Sequence, residues 1–322
     1  MRTILVTGAT GLVGNAVATR LAERGDRVRA LVRDPGRARG MLPEAVELAR
    51  GDVTEPETVA AACAGAELVF HAAGLPEQWM RDESIFDRVN RGGTRTVLRA
   101  ARDAGVSRVV YTSTMDVFAA ERGGTLVESN VDRDPKPTAY ERSKQAAERE
   151  AEAIAKEGLD VVYVNPAAVY GPSPVTTGLN VFFQKILRGE VPLLPPGGMP
   201  VAYVDGVAAV HLAAAERGKA SERYLVADEH ASTRRLAEVV LEGTGKKVPG
   251  VAPASLVKAL AALSAPLARA FGFRPLVAPG ELSFVLWDVR VDASKAKREL
   301  GFEPTSLTEG VARTRAHLEG AR

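Results

Sequence analysis

The chain has 322 residues, 46% of them hydrophobic and 25% charged, which is enough for one large α/β domain or for such a domain carrying a smaller lobe. A formal net charge of +2, with arginines scattered rather than clustered, lacks the basic stripe that nucleic-acid binding needs. The single cysteine, Cys63, rules out an intramolecular disulfide and argues against a cysteine-built metal site.

The first predicted strand, residues 3–6, runs into Thr7-Gly8-Ala9-Thr10-Gly11-Leu12-Val13-Gly14. Val13, Val17 and Leu21 then recur at helical spacing, predicting a helix over 14–24. In a strand–turn–helix, Gly8 permits the tight turn, Gly11 lets a pyrophosphate approach the backbone, and Gly14 lets helix and strand pack closely. The helix N-terminus offers unpaired N–H groups to the phosphates. Gly8 and Thr10 also interrupt the N-terminal apolar run, so no signal peptide is read there.

Further strands are predicted at 27–32, 46–50, 68–71, 108–112 and 160–165, with helices at 56–62, 84–104 and 139–156. This alternation predicts an α/β fold, a doubly wound parallel sheet covered by helices on both faces. Ligands of such sheets sit beyond the C-terminal strand ends, where Gly8, Arg33, Asp52, Ala72 and Thr114 would gather.

The second half is less regular, with proline and glycine at 171–174, 192–200 and 248–253. It reads as a smaller, mostly helical substrate lobe over 171–322, following a dinucleotide-binding part over 1–170 with a returning segment near 201–217. Residues 253–273 are the nearest approach to a membrane span, yet Lys258, Pro266 and Arg269 interrupt them and one or two short amphipathic helices are expected. A cytoplasmic protein without a membrane span or a metal is the expectation.

On the cofactor side, the second strand ends Arg29-Ala30-Leu31-Val32 and is followed by Arg33-Asp34-Pro35-Gly36-Arg37. Val32 stands where an acidic residue would grip a ribose 2′-hydroxyl, whereas a guanidinium suits a 2′-phosphate. NADP is therefore favoured, with Arg33 as main contact and Arg37 as second. Asp34 keeps NAD open, because a small backbone shift would present it to a ribose. Asp52, with Val53 after it, follows the third strand, where a carboxylate can accept from an adenine amino group. Ala72, Ala73 and Gly74 follow the fourth, where small residues let backbone lie against a ribose.

On the catalytic side, Tyr140-Glu141-Arg142-Ser143-Lys144 puts a phenol and an ammonium one helical turn apart. A nearby ammonium and an oxidised nicotinamide would lower a phenol pKa from near ~10. Lys144 can also hold ribose hydroxyls. Val109-Val110-Tyr111-Thr112-Ser113-Thr114 ends a buried strand in three hydroxyl residues, one of which can hold a substrate oxygen while Tyr140 moves its proton.

Glycine turn, hydroxyl cluster and Tyr/Lys pair, in that order, resemble the extended short-chain dehydrogenase/reductases, which include nucleotide-sugar epimerases, dihydroflavonol reductases and 3β-hydroxysteroid dehydrogenases. The likeness spans nearly the whole chain. It continues through Val89-Asn90-Arg91-Gly92-Gly93-Thr94, Asn165-Pro166-Ala167-Ala168-Val169-Tyr170-Gly171-Pro172, Tyr203-Val204-Asp205-Gly206 and Lys297-Arg298-Glu299-Leu300-Gly301-Phe302. The resemblance implies a Rossmann sheet and a catalytic set of Thr114, Tyr140 and Lys144, with Thr114 rather than Ser113 as the hydroxyl, although the family more often has Ser. It implies cofactor contacts from Gly8, Thr10, Gly11, Leu12, Val13, Asn90, Thr112, Tyr140 and Lys144 as well. Pro166, Ala168 and Val169 would lie beside the nicotinamide carboxamide. Helices 84–104 and 139–156 resemble the pair that builds a homodimer interface in the family.

Within the family, the Arg33 segment is similar to the dihydroflavonol-reductase branch. A diphosphate-sugar substrate would call for basic groups in the lobe, yet 175–183 and 193–203 are largely apolar, and Lys185 and Arg188 sit on a predicted helix. Trp79, Met80, Met115, Phe118, Phe182 and Trp287 are candidates to line a pocket for an apolar carbonyl or alcohol. An NADP-dependent carbonyl reductase or alcohol dehydrogenase is the leading expectation. A nucleotide-sugar epimerase or dehydratase with bound NAD(P) is the alternative, and a non-catalytic NADP sensor or scaffold the second.

Overall fold

The structure is a computed structural model that describes residues 2–76, 79–271, 275 and 279–320; Phe273, at the end of the predicted segment 253–273, lies outside these. In chain order the strands are β1 (Thr3–Thr7), β2 (Arg27–Val32), β3 (Glu47–Arg50), β4 (Leu68–His71), β5 (Arg108–Thr112), β6 (Val161–Pro166), β7 (Ala168–Tyr170), β8 (Gly198–Tyr203), β9 (Arg223–Val226) and β10 (Glu229–Ser232), besides four strands of two residues. β1 to β6 match the predicted strands to within a residue. Seven strands pair in parallel in the order β9-β6-β5-β4-β1-β2-β3, the expected Rossmann sheet, whose order reverses between β1 and β4.

Alternation along the central strands explains how both faces are filled. Ile4 and Val6 of β1 join one core with Val17 and Leu21, while Leu5 joins the opposite core. Helices α1 (Leu12–Glu23) and α7 (Val204–Arg217) cover the first face. The second is covered by α3 (Pro56–Cys63), the run Ser84–Phe86, Asp87–Gly92, Gly93–Asp103, here called α4, and α5 (Ala139–Lys156). Cys63 is buried there, as an apolar helix residue. A short α2 (Pro35–Arg39), capped by Asp34, follows β2.

The chain returns to the sheet through 204–226: α7 packs against α1, and β9 pairs with β6 as the seventh strand. The rest holds helices α6 (Leu179–Arg188), α8 (Thr233–Leu241), α9 (Ala254–Phe271), α10 (Pro279–Trp287) and α11 (Leu307–Gly320). It is not helical throughout. β7, β8 and β10 form a second sheet, with β8 parallel to β7 and antiparallel to β10. Proline and glycine near these short strands hid them from periodicity. No helix among the described residues is long and apolar enough to cross a membrane.

Candidate active site

The glycine turn is built by steric necessity. Gly8 has φ +72°, and a Cβ on it would lie 2.6 Å from the backbone of Ala72 and Ala73, so the loop after β4 closes against the turn. A Cβ on Gly14 would lie 2.3 Å from the Gly8 carbonyl oxygen, which fixes how closely α1 approaches β1. Gly11 differs: its Cβ would meet only that oxygen, at 3.3 Å. Gly11 also opens α1 without a side-chain cap. Thr10, Gly11 and Val13 are half-buried and Leu12 is buried. A bare, uncapped helix N-terminus beside open backbone fits a pyrophosphate.

Beneath the turn, Thr7 Oγ1 sits 2.7 Å from His71 Nδ1 and 3.3 Å from the Ala73 amide that donates to it. His71 Nε2 lies 3.1 Å from Thr94 Oγ1, and burial lowers this imidazole to about 3, keeping it neutral. At the next strand ends, Arg33 and Arg37 are exposed and have no side-chain partner among the described residues. Asp34 caps α2 by accepting from the Arg37 amide at 3.1 Å on Oδ1 and is itself exposed. Asp52 accepts from the Thr54 amide and hydroxyl at 2.9 and 2.7 Å, both on Oδ1. Val53 is half-buried and packs on Gly93, where a Cβ would lie 2.8 Å from its side chain.

Asn90 lies in the π-helical middle of α4 and is almost fully buried. It accepts from the Leu75 amide at 2.7 Å and donates to Ser143 Oγ at 2.9 Å. The loop carrying Gly74 is thereby tied to α5, two turns of chemistry held by one amide. A Cβ on Gly74 would lie 3.2 Å from Asn90 Oδ1. The π-helical register delivers Asn90 to that place; a regular helix over 84–104, as predicted, would aim it elsewhere.

At the end of β5, Thr114, Tyr140 and Lys144 come together, all buried. α5 is started by Thr138 and Glu141 in a reciprocal capping box, which places Tyr140 in its first turn. Tyr140 is hydrogen-bonded to Thr114, and Phe86 packs edge-on to its ring at 6.2 Å. Burial raises the phenol above its ordinary value and the Asp116 carboxylate adds to the rise; only the Thr114 bond works the other way. The expected lowering by Lys144 does not prevail, because desolvation outweighs it and Lys144 is directed elsewhere. Its Nζ donates to the Thr112 carbonyl at 3.1 Å and to Tyr111 Oη at 3.2 Å, over the Tyr111 ring. Thr112 Oγ1 contacts His211 Nε2 at 2.8 Å, while His211 Nδ1 donates to the Val207 carbonyl. That bond and burial, which lowers His211 to about 4, make it a neutral acceptor for the Thr112 hydroxyl.

Asp116 was not among the predicted site residues. Its Oδ2 lies 3.0 Å from Thr114 Oγ1, its amide donates to the same oxygen at 3.2 Å, and its Oδ1 is buried without a partner. Burial, with Glu141 next, pushes its carboxyl up to about 7, against Thr114, Lys136 and Lys144. A single charge inside the otherwise uncharged stretch 109–120 was the available signal. A second unforeseen group holds the backbone: Asn165 donates to the Thr114 carbonyl at 3.1 Å and to Glu148 at 2.8 Å, and Glu148 pairs with Arg223 of β9 at 2.9 Å.

Pro166 ends β6 and is buried, while Ala168 and Val169 are half-buried in β7, paired with Val201 and Ala202. Of the apolar pocket candidates, Met115 and Phe118 are buried core. Trp287 packs beside that core and donates to the Ala120 carbonyl at 2.8 Å. Trp79, Met80 and Phe182 are half-buried, and the Trp79 indole N–H is buried without a partner. Lys185 and Arg188 are exposed on α6.

A sequence profile of the NAD dependent epimerase/dehydratase family matches residues 4–227. Sterol demethylase protein B of Methylococcus capsulatus is 35% identical over 96% of each chain. A putative dihydroflavonol 4-reductase of Synechocystis is 31% identical, over 95% of this chain and 92% of the relative. Among solved structures, gox2253 superposes with a TM-score of 0.82 at 32% identity, covering 100% of this chain and 99% of that one. MoeE5, solved with UDP-glucose and NAD, gives 0.78 at 25% identity over 99% of both.

Proposed function

The chain belongs to the NAD dependent epimerase/dehydratase family, as an NAD(P)-dependent enzyme of the extended short-chain dehydrogenase/reductase type, and from that premise we propose an NADP-dependent oxidoreductase that reduces a carbonyl or oxidises an alcohol on a mainly apolar small molecule. The observation that carries this reading is the buried convergence of Thr114, Tyr140 and Lys144 across the sheet edge from the bare turn at Gly11. The turn, the N-terminus of α1 and the small residues 72–74 would hold the dinucleotide, and Arg33 with Arg37 a 2′-phosphate. NADP, when bound, supplies or accepts the hydride.

Tyr140 gives its proton to the substrate oxygen in reduction and takes it back in oxidation. Its raised pKa suits the acid role, since the phenol stays protonated until an oxygen base arrives. Thr114 holds that oxygen with its hydroxyl. Lys144, anchored on Tyr111 and the Thr112 carbonyl one turn along α5 from Tyr140, offers a donor for ribose hydroxyls. Asp116 sets which way the Thr114 hydroxyl points. Protonated, Asp116 donates to Thr114 Oγ1 and frees the threonine hydrogen for the substrate; ionised, it accepts that hydrogen and withdraws it.

The apolar substrate class rests on the exposure of Lys185 and Arg188 and on the absence of basic residues from β8. A nucleotide-sugar reading is favoured by one observation, the likeness to MoeE5 solved with UDP-glucose. Assay of NADPH and NADH oxidation against apolar ketones and aldehydes, beside conversion of UDP-sugars, separates the two. NADPH-dependent reduction of apolar carbonyls is expected. UDP-sugar conversion alone would replace the proposal with the epimerase reading, and cofactor binding without any turnover would replace it with the sensor reading. A dimer through the outer faces of α4 and α5 is part of the same proposal, measured by sedimentation velocity.

A further inference from the structure

The large hydrophobic side chains left exposed among the described residues are six: Leu193, Val251, Leu256, Leu260, Leu263 and Phe271. Five lie between 251 and 271, and the sixth joins them because strand Leu193–Leu194 pairs with Gly250–Val251. The concentration of exposed apolar side chains among the described residues therefore lies in this one region of the chain.

Helix α9 explains the face. Val257 and Ala261 are buried on one stripe in a small core with Ala252 and Leu282. Leu256, Leu260 and Leu263 recur at four and three residues, which places them on a neighbouring stripe of the helix that is partly exposed. Leu263 is 71% exposed and Phe271 76%, the two largest exposures on this stripe among the described residues. Lys258 is exposed on a different side of the helix from the leucines.

Charge selects the partner. Residues 243–280 contain five cations, Lys246, Lys247, Lys258, Arg269 and Arg274, and no acidic residue, although the whole chain carries only +2. An apolar stripe on a helix too interrupted to span, within a stretch of sequence that carries only positive charge, is the pattern of a helix that lies in a lipid interface and is drawn to anionic headgroups. A second copy fits worse, since a two-fold contact would set the same cations against one another. We propose that the face carrying Leu256, Leu260, Leu263 and Phe271 docks on a membrane surface that contains anionic lipid. This rests on no reading of the reaction.

The test is co-sedimentation of the full chain with vesicles of phosphatidylcholine alone and of phosphatidylcholine with about one third phosphatidylglycerol. The protein is expected to sediment with the anionic vesicles, much less with the neutral ones, and to be released by added salt. Leu263→Glu with Phe271→Glu should cut the bound fraction about ten-fold at an unchanged thermal midpoint, because these side chains are 71% and 76% exposed. Lys258→Glu should weaken binding less and only to the anionic vesicles. Protein that stays in the supernatant with both compositions, equal binding to both, or a double variant that binds like wild type would overturn the proposal. So would a dimer that the double variant disperses without any vesicle binding.

Discussion

The two ends of the site use the same sheet edge in opposite ways. At the cofactor end, Arg33 and Arg37 are exposed and have no side-chain partner among the described residues, and the helix at Gly11 begins without a side-chain cap. At the catalytic end every key group is buried and already bonded: Lys144 to Tyr111, Thr114 to Asp116, and the Thr114 carbonyl to Asn165. An open set of donors can be removed piecemeal without harm to the fold. A closed network cannot, because each buried member left alone bears its full desolvation penalty.

Substitutions can break this contrast. The largest effect is expected from Tyr140→Phe, which should lower turnover about 10²- to 10⁴-fold while cofactor affinity stays within a factor of two or so; single-turnover kinetics beside fluorescence titration of NADPH would measure both. Next comes Arg223→Ala, far from the reacting atoms. It leaves Glu148 buried without its cation and should cost roughly 3–5 kcal/mol in urea unfolding, with a loss of turnover as the Asn165 anchor loosens. A neutral outcome would mean the catalytic end is not wired through β9.

At the open end, Arg33→Ala should weaken NADPH by roughly 10- to 100-fold and leave NADH and the unfolding midpoint unchanged. Equal losses for both cofactors would remove Arg33 from the 2′-phosphate site. The smallest effect concerns pH. With Asp116 raised to about 7 by burial, the protonated form prevails below that value and frees the Thr114 hydroxyl, so carbonyl reduction should decline as pH rises through about 7. Asp116→Asn, which can donate at every pH, should flatten that decline and change the rate only several-fold at its maximum. An unaltered inflection would assign the titration to another group.

Much of the site was legible because it is local in sequence. Gly8, Gly11 and Gly14 lie within one turn, and Tyr140 and Lys144 within one helical turn, so spacing alone places them together. The hydroxyl cluster 112–114 followed from the end of a buried strand, and Thr114 within it from the family resemblance. Asp116 was missed because its meaning depends on burial and on the charges of Glu141 and Lys144, which come from a helix that begins more than twenty residues later. The π-helical turn at Asn90 was missed for a similar reason: periodicity over 84–104 is satisfied either way, and contact with Leu75 and Ser143 accompanies the register that forms.

What the sequence determined by itself is the class of fold and the chemical types at each strand end, because strand periodicity, helix caps and glycine turns are short-range constraints on the chain. Tertiary structure decided how those types are used. It turned Lys144 onto Tyr111 and brought β9 from the far side of the chain to steady Thr114 through Arg223, Glu148 and Asn165. It also left the leucines of α9 outside the core, since a helix shows a single hydrophobic pattern whether one stripe or two are covered, and only packing tells which.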